Sequence, residues 1–328
     1  MIKLIGLAVV ALLVVLVTLW GTLALNYSGP AGWNVALAAG YGLCGLVTLL
    51  GLAMPRWRLR VAGGFLMMFA VLMTWWNTIE PTNDRDWQTE DAVLAYATQN
   101  GDLVTVHNIR NFDYRTETDF TPAWYDKTFD MRELESADLV AVYWMGPAIA
   151  HTFLSFGFKG GDYLDISIET RDAKGQGYST LKGFFKQYGL IYVVADERDI
   201  IRLRTNYRKD PIEDVYLYNI HRPLENGRRL FQEYLEKVNA LTRKPEFYNT
   251  LVHNCTTTIW MNARVNPGRI PFSWKVLASG YVPEYLYEVQ ALDTSVPFPE
   301  LQRRSHINKR AQAADKAKDF SKRIRAAE

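Results

Sequence analysis

The chain has 328 residues, 48% of them hydrophobic, with a formal net charge of +2. That is enough apolar content for one sizeable domain plus membrane segments. Residues 80–300 hold 24 basic against 32 acidic residues, which argues against a nucleic-acid binder, whose domain needs a basic face. Two cysteines and five scattered histidines argue against a disulfide framework and a structural zinc site, and no motif calls for a cofactor.

Three apolar runs open the chain, Leu4 to Leu25, Gly32 to Met54 and Val61 to Ile79. Each is close to the roughly 20 helical residues that span a hydrocarbon core. The first is too long for a secretory signal, lacks a convincing cleavage site and is followed by two more spans. Lys3 and the "PRWRLR" connection (Arg56, Arg58, Arg60) carry the only charges in residues 1–79, all basic. The positive-inside rule therefore sets the N-terminus and the arginine loop in the cytoplasm and everything after Ile79 on the far side. Trp57, Trp75 and Trp76 occupy interface positions. The expected location is the inner (cytoplasmic) membrane, multi-pass, with the C-terminal domain in the periplasm. A plain anchor is the simplest role for the spans, and a lipid-entry surface feeding an external site is the sharper one.

The polar linker "EPTNDRDW" (Glu80 to Trp87) leads into the outer domain. Asn100-Gly101 marks a turn before a strand around Leu103–Ile109, and "ADLVAVYWM" (Ala137 to Met145) reads as a buried strand. "HTFLSFGF" and "DYLDISIETR", separated by Lys159-Gly160-Gly161, form a hairpin signal. "GLIYVVADERDIIRLRTNYR" contains another strand or two. Leu230, Tyr234, Val238 and Leu241 share a helical face that Pro245 ends, and "NCTTTIWMNAR" starts the next helix. Residues 301–328, with nine basic and three acidic side chains, read as a frayed or disordered tail. It is either solvated or in contact with anionic headgroups. The expected domains are a membrane anchor over 1–79, an outer domain over 80–300 and a basic tail over 301–328. The fold class is α+β, three transmembrane helices followed by an antiparallel sheet packed on helices.

Strand alternation sets His151, Phe153 and Ser155 on one face of the hairpin, with Asp165, Ser167, Glu169 and Arg171 on the matching face. A three-residue turn puts His151 opposite Glu169, and a register shifted by two puts it opposite Arg171. Either way an imidazole and a carboxylate share a face, which orients the ring and favours its protonated form. An ordinary cross-strand pair gives the same pattern. Cys255 follows Asn254, a good N-cap, so its thiol would sit in the first turn of a helix, where the dipole favours thiolate. A buried, inert cysteine is the bland alternative. As a nucleophile it needs a base. His253 is close in sequence but points away from it, and His151 is the better candidate.

The stretches "AHTFLSFGF", "DISIETR", "ADERDIIRLRTNYR" and "FYNTLVHNCTT", with "RNFDYRTETDF" upstream, resemble the Lnb N-terminal periplasmic-domain family across most of residues 105–265. That family resembles circularly permuted papain-like thiol enzymes, in which the histidine strand precedes the cysteine helix, as in lecithin–retinol acyltransferase. The named Lnb proteins are lipoprotein N-acyltransferases. The resemblance implies Cys255 as nucleophile, His151 as base and Glu169 as orienting third member, with Ser167 as its rival. The expected activity is then acyl transfer to a lipoprotein or lipid-linked amine, with membrane lipids and a lipoprotein as partners. A cysteine peptidase or amidase acting on cell-wall peptide is the alternative, and a non-catalytic scaffold the third. The Cys255 backbone N–H would serve the oxyanion, with Tyr248, Asn249 or Asn254 as second donor. Arg110 or Arg171 could hold a phosphate or carboxylate, or could form structural salt bridges with Asp113 or Glu169.

Overall fold

The computed structural model describes residues 2–268 and 270–326 and divides them into two compact units. The Lys3 side chain, one basis of the expected orientation, lies outside the described residues, as do residues 327 and 328 of the expected tail.

The first unit contains α1 (Ile2–Ser28), α2 (Asn34–Ala53) and α3 (Arg58–Thr78), close to the three expected spans. All three are long and apolar enough to cross a membrane. Small residues let them approach: a Cβ at Gly45 of α2 would collide with Thr18 of α1. Residues 178–188 belong to this unit rather than to the sheet domain. There the Ser28 hydroxyl donates to the Phe185 carbonyl at 2.5 Å, and Lys186 Nζ donates to the Trp76 carbonyl at 2.7 Å.

The second unit is built on strands β1 (Tyr96–Asn100), β2 (Leu103–Arg110), β3 (Asp113–Tyr114), β4 (Phe120–Thr121), β5 (Trp124–Asp130), β6 (Leu134–Tyr143), β7 (Ala150–Phe158), β8 (Asp162–Arg171), β9 (Gly189–Ala195) and β10 (Asp214–Asn219). Eight of them form one sheet in the order β1-β2-β9-β8-β7-β6-β10, with β5 also on β2. β3 and β4 pair separately. The sheet is mixed rather than purely antiparallel, because β2 meets β9 in parallel at Arg110 and Ala195. Interleaved with the strands are α4 (Glu197–Arg202), a π-helical turn (Leu203–Tyr207), α5 (Leu224–Arg243), α6 (Cys255–Asn262), α7 (Val282–Glu288), α8 (Phe298–Ser305), α9 (Asn308–Ala313) and α10 (Phe320–Ile324). Of the strands expected in 189–208, only the first forms. After Ala195, Asp196 caps a helix by accepting from the Arg198 N–H.

The hairpin pairs Leu154 with Ile166 and Phe158 with Asp162, the register in which His151 faces Glu169. Its turn needs Gly160 and Gly161, both at positive φ (93° and 87°). Both faces of these strands are buried. Phe156 and Phe158 pack on Phe231 and Tyr234 of α5. Phe153 on the opposite face joins Val140, Val142, Ile200, Ile307, Phe320 and Ile324 in one core.

That second core overturns the expectation of a frayed or disordered tail. Residues 301–326 fold as helices whose apolar side chains close the far face of the sheet. Ile307, Ala311, Phe320 and Ile324 are at most 1% exposed. Arg325 pairs with the buried carboxylates of Asp138 (2.7 Å) and Glu197 (2.6 Å) and lies over the Tyr163 ring. The high Lys and Arg content hid a narrow apolar stripe, which only a sheet face awaiting cover gives a purpose. Phe320→Ala is expected to cost about 3–5 kcal/mol, the usual range for a buried phenylalanine. Thermal unfolding of the detergent-purified protein measures it, and an unchanged midpoint would mean this segment does not seal the core.

Candidate active site

β6 pairs with β7 as far as Ala150, and β8 pairs with β9 as far as Arg171. The β7–β8 ladder, by contrast, ends at Leu154 and Ile166. The two strands therefore part at the end that carries His151 and Glu169, and α6 contacts both of them there.

The N-terminus of α6 is fixed by its cap. Asn254 Oδ1 accepts from the N–H groups of Thr256 (2.9 Å) and Thr257 (2.8 Å), and Thr257 Oγ1 accepts from the Asn254 N–H. This capping box satisfies amides that the helix cannot. It makes Cys255 the first helical residue, whose own N–H has no acceptor within the helix. Thr152 Oγ1 and Thr256 Oγ1 are 3.0 Å apart and tie β7 to α6. The Thr152 N–H helps to lower the Cys255 thiol pKa. Thr256 Oγ1 lies 3.6 Å from Sγ.

The thiol and the His151 ring are near enough for each to shift the other's protonation. His151 Nε2 is 2.8 Å from Ser167 Oγ and 3.4 Å from Glu169 Oε1. Ser167 Oγ in turn donates to Glu169 Oε1 at 2.7 Å. With Nε2 so engaged, Nδ1 is the ring atom left for sulfur. The rivalry between Glu169 and Ser167 thus ends in a relay in which both take part. Behind Glu169 stands Arg204, 5% exposed, with Nη2 3.1 Å from Oε1 and Nη1 3.5 Å from Glu213. Arg204 sits in the π-helical turn, a distortion frequent at functional sites.

These contacts set the protonation states. Burial pushes the Cys255 thiol up, but the charge and hydrogen bond of His151, the Thr152 N–H and the Thr256 hydroxyl outweigh it, and the pKa falls to about 7. Burial and Arg204 push His151 down, while Cys255 and Glu169 push it up, and the net shift is upward. Burial raises Glu169, yet His151, Arg204 and Ser167 hold it well below the ordinary carboxylate range. Near neutral pH the set favours thiolate, imidazolium and carboxylate together.

Other expected residues do different work. Arg110 is buried and forks onto Asp199 (2.9 Å), not onto Asp113 or Glu169. Arg171 is buried too, donating to the Asp91 and Ala92 carbonyls and to Asn83 Oδ1, with its guanidinium over Trp87. Both have structural partners, the second of the two expected roles, but with Asp199, Asp91, Ala92 and Asn83 in place of Asp113 or Glu169. Asn254 Nδ2 donates to the Thr250 carbonyl, and Asn249 Oδ1 accepts from the Leu251 and Val252 N–H groups. These amides serve local turns rather than an oxyanion. Tyr248 is buried. Sequence reasoning missed Arg204, Thr152 and Thr256. The "TTT" after Cys255 and the basic residues of "RLRTNYR" were the available signals, but neither spacing nor composition says which residue reaches the site.

A cavity of about 770 Å³ is lined by Thr152 and Thr256, the chain neighbours of His151 and Cys255, and Leu139, Leu154, Ile259 and Tyr285 are among its mostly apolar residues. The Cys255 and His151 side chains are not part of that lining.

Residues 120–280 match the model of the Lnb N-terminal periplasmic domain family. The match covers just under half of the chain and takes in β7, β8, the π-helical turn and α6. It starts where "RNFDYRTETDF" ends, so that upstream motif falls outside it. No curated protein and no solved structure gave a significant match. With its three apolar helices, the chain is a membrane protein with a periplasmic domain after the third span.

Alkylation of Cys255 by iodoacetamide should have its pH midpoint near 7. In His151→Ala the midpoint should rise above the ordinary thiol value, because burial remains and the stabilising charge is gone. Glu169→Gln should raise it less, by weakening the imidazolium. A midpoint that stayed near 7 in His151→Ala would sever thiol from imidazole.

Proposed function

We propose that the protein is a membrane-anchored thiol acyltransferase that forms an acyl-Cys255 thioester and passes the acyl group to the amine of a lipoprotein or other lipid-linked acceptor. The observation that carries this reading is an activated thiol with an apolar cavity starting at Thr152 and Thr256, the neighbours of His151 and Cys255. Its volume is within the ~300–1,000 Å³ of small-molecule sites, and its lining suits an alkyl chain better than a polar peptide. The order of a histidine strand before a cysteine helix agrees with a permuted papain-like arrangement. The match to the Lnb periplasmic domain, whose named members are lipoprotein N-acyltransferases, agrees with the same chemistry.

In the first half-reaction the Cys255 thiolate attacks the ester carbonyl of the donor. The Cys255 N–H, free at the helix start, hydrogen-bonds the oxyanion. His151 gives its proton to the departing alcohol, and the C–O bond breaks as the thioester forms. In the second half the neutral amine attacks the thioester. His151 takes the amine proton, the thiolate leaves and an amide is released. Ser167 and Glu169 keep the ring oriented through both halves, and Arg204 keeps Glu169 ionised. Cys255 serves as nucleophile, His151 as acid and base, and Ser167, Glu169 and Arg204 as positioning residues.

Intact mass spectra after incubation with mixed bacterial phospholipids and a diacylated lipopeptide test this. A fatty-acyl mass gain is expected on the wild type, removable by hydroxylamine and absent in Cys255→Ala. Shortening the donor chain by two methylenes should slow thioester formation by up to about 15-fold, given ~0.8 kcal/mol per buried methylene. No mass gain with any lipid, together with cleavage of cell-wall peptides, would replace acyl transfer by the peptidase reading.

A further inference from the structure

Around the thiol, the sheet domain exposes large apolar side chains that its core does not use. Leu251 and Val252 are 52% and 53% exposed in the turn before Cys255, and Phe272, Trp274 and Leu277 are 56%, 60% and 49% exposed. The two groups sit on one structural frame. The Val252 carbonyl accepts from Thr257 Oγ1 in the first turn of α6. Phe272 packs edge-on against Trp260 of the same helix, 5.4 Å between ring centroids. Trp274 packs on Tyr281, and residues 279–280 are fastened to the start of β7, where the Ala150 N–H donates to Ser279 Oγ and the Gly280 N–H to the Ala148 carbonyl. Residues 270–281 therefore bridge the cysteine helix and the histidine strand. Ile270 and Val276 of this stretch line the cavity together with Trp260, whereas Phe272, Trp274 and Leu277 are exposed and not part of its lining.

We propose that residues 270–277 and the 249–253 turn form an interfacial rim that inserts into the bilayer leaflet beside the domain, so that an acyl chain passes from lipid to cavity without crossing water. The occupant follows from chemistry and connectivity. Clustered exposed apolar side chains mark an interaction surface, and Trp, Phe and Leu are the residues that seat a protein at the membrane interface. Arg264, stacked over Trp260, supplies a cation at headgroup level. The domain cannot drift from the bilayer. α3 ends at Thr78 and the domain begins at Asn83, so a link of four residues lets these two ends stand at most about 18 Å apart. Residues 178–188 belong to the membrane unit as well. The inference deepens the acyl-transfer reading and rests on it only for the purpose of the rim.

Position is tested without activity. In a Cys44→Ala, Cys255→Ala background, Leu277→Cys labelled with bimane is reconstituted in phosphatidylcholine vesicles with or without bromine on the upper acyl carbons. Asp102→Cys, on the β1–β2 turn, is the reference. Quenching by brominated lipid several-fold stronger at 277 than at 102 is expected. Equal quenching at both sites, or a label at 277 shielded from iodide but untouched by bromolipid, would overturn the bilayer assignment, the second pattern pointing to a polypeptide cover. Function is tested with Phe272→Asp, Trp274→Asp and Leu277→Asp combined. Thioester formation from vesicle phospholipid should fall at least tenfold while iodoacetamide alkylation of Cys255 is unchanged. A triple variant that acylates at the wild-type rate would remove the rim from lipid capture. If wild type itself never acylates, acyl transfer fails, yet the bimane result still decides whether the face meets lipid.

Discussion

The site depends on two strands that stop pairing. β7 and β8 share a register from Phe158 to Leu154 and then separate, while each keeps its outer neighbour. Unpaired amides inside a protein are costly unless they find partners. Here α6 starts against β7 and β8, with Thr256 Oγ1 3.0 Å from Thr152 Oγ1, and the Thr152 N–H helps to lower the thiol pKa. One parting of strands therefore makes room for the thiol and leaves His151 and Glu169 to meet through side chains. A continued ladder would bring the same residues close with no space for Cys255.

Support for this arrangement comes from both faces of the sheet. On one side the capping box of Asn254 and the Thr152–Thr256 contact fix α6. On the other, Arg204 reaches Glu169 from the π-helical turn. That turn is held by the C-terminal helices: Asn206 Nδ2 and the Tyr207 hydroxyl both donate to Asp315, and Arg202 donates to the Asp315 carbonyl. The basic C-terminal segment is linked to the reactive pair by three contacts in series, Asp315 to the turn, Arg204 of that turn to Glu169, and Glu169 to His151.

Ion pairing explains how a half-buried thiol can be acidic. Burial alone raises a thiol pKa. Only a charged partner, itself held in its charged form by Glu169, reverses that. Glu169 in turn stays ionised because Arg204 and Ser167 both serve it. Partial removal of solvent from the site strengthens these interactions.

Much of this was legible in the chain. Apolar run lengths specified three spans, because a bilayer has one thickness. Alternation specified which hairpin side chains share a face, because side chains alternate with period two, and the structure chose between the two registers this allowed. Asn254 before Cys255 specified a capped helix start, because that amide chemistry is local. What the tertiary structure alone decided is which distant groups meet. Arg110 and Arg171 looked like anion ligands, but charge says nothing about whether a guanidinium faces solvent or a buried carboxylate. Arg204 was one arginine among several, and only the π-helical turn aims it at Glu169. The tail read as solvated, because its apolar residues are few and widely spaced. Burial under a sheet is a property of the partner surface, which no local pattern contains.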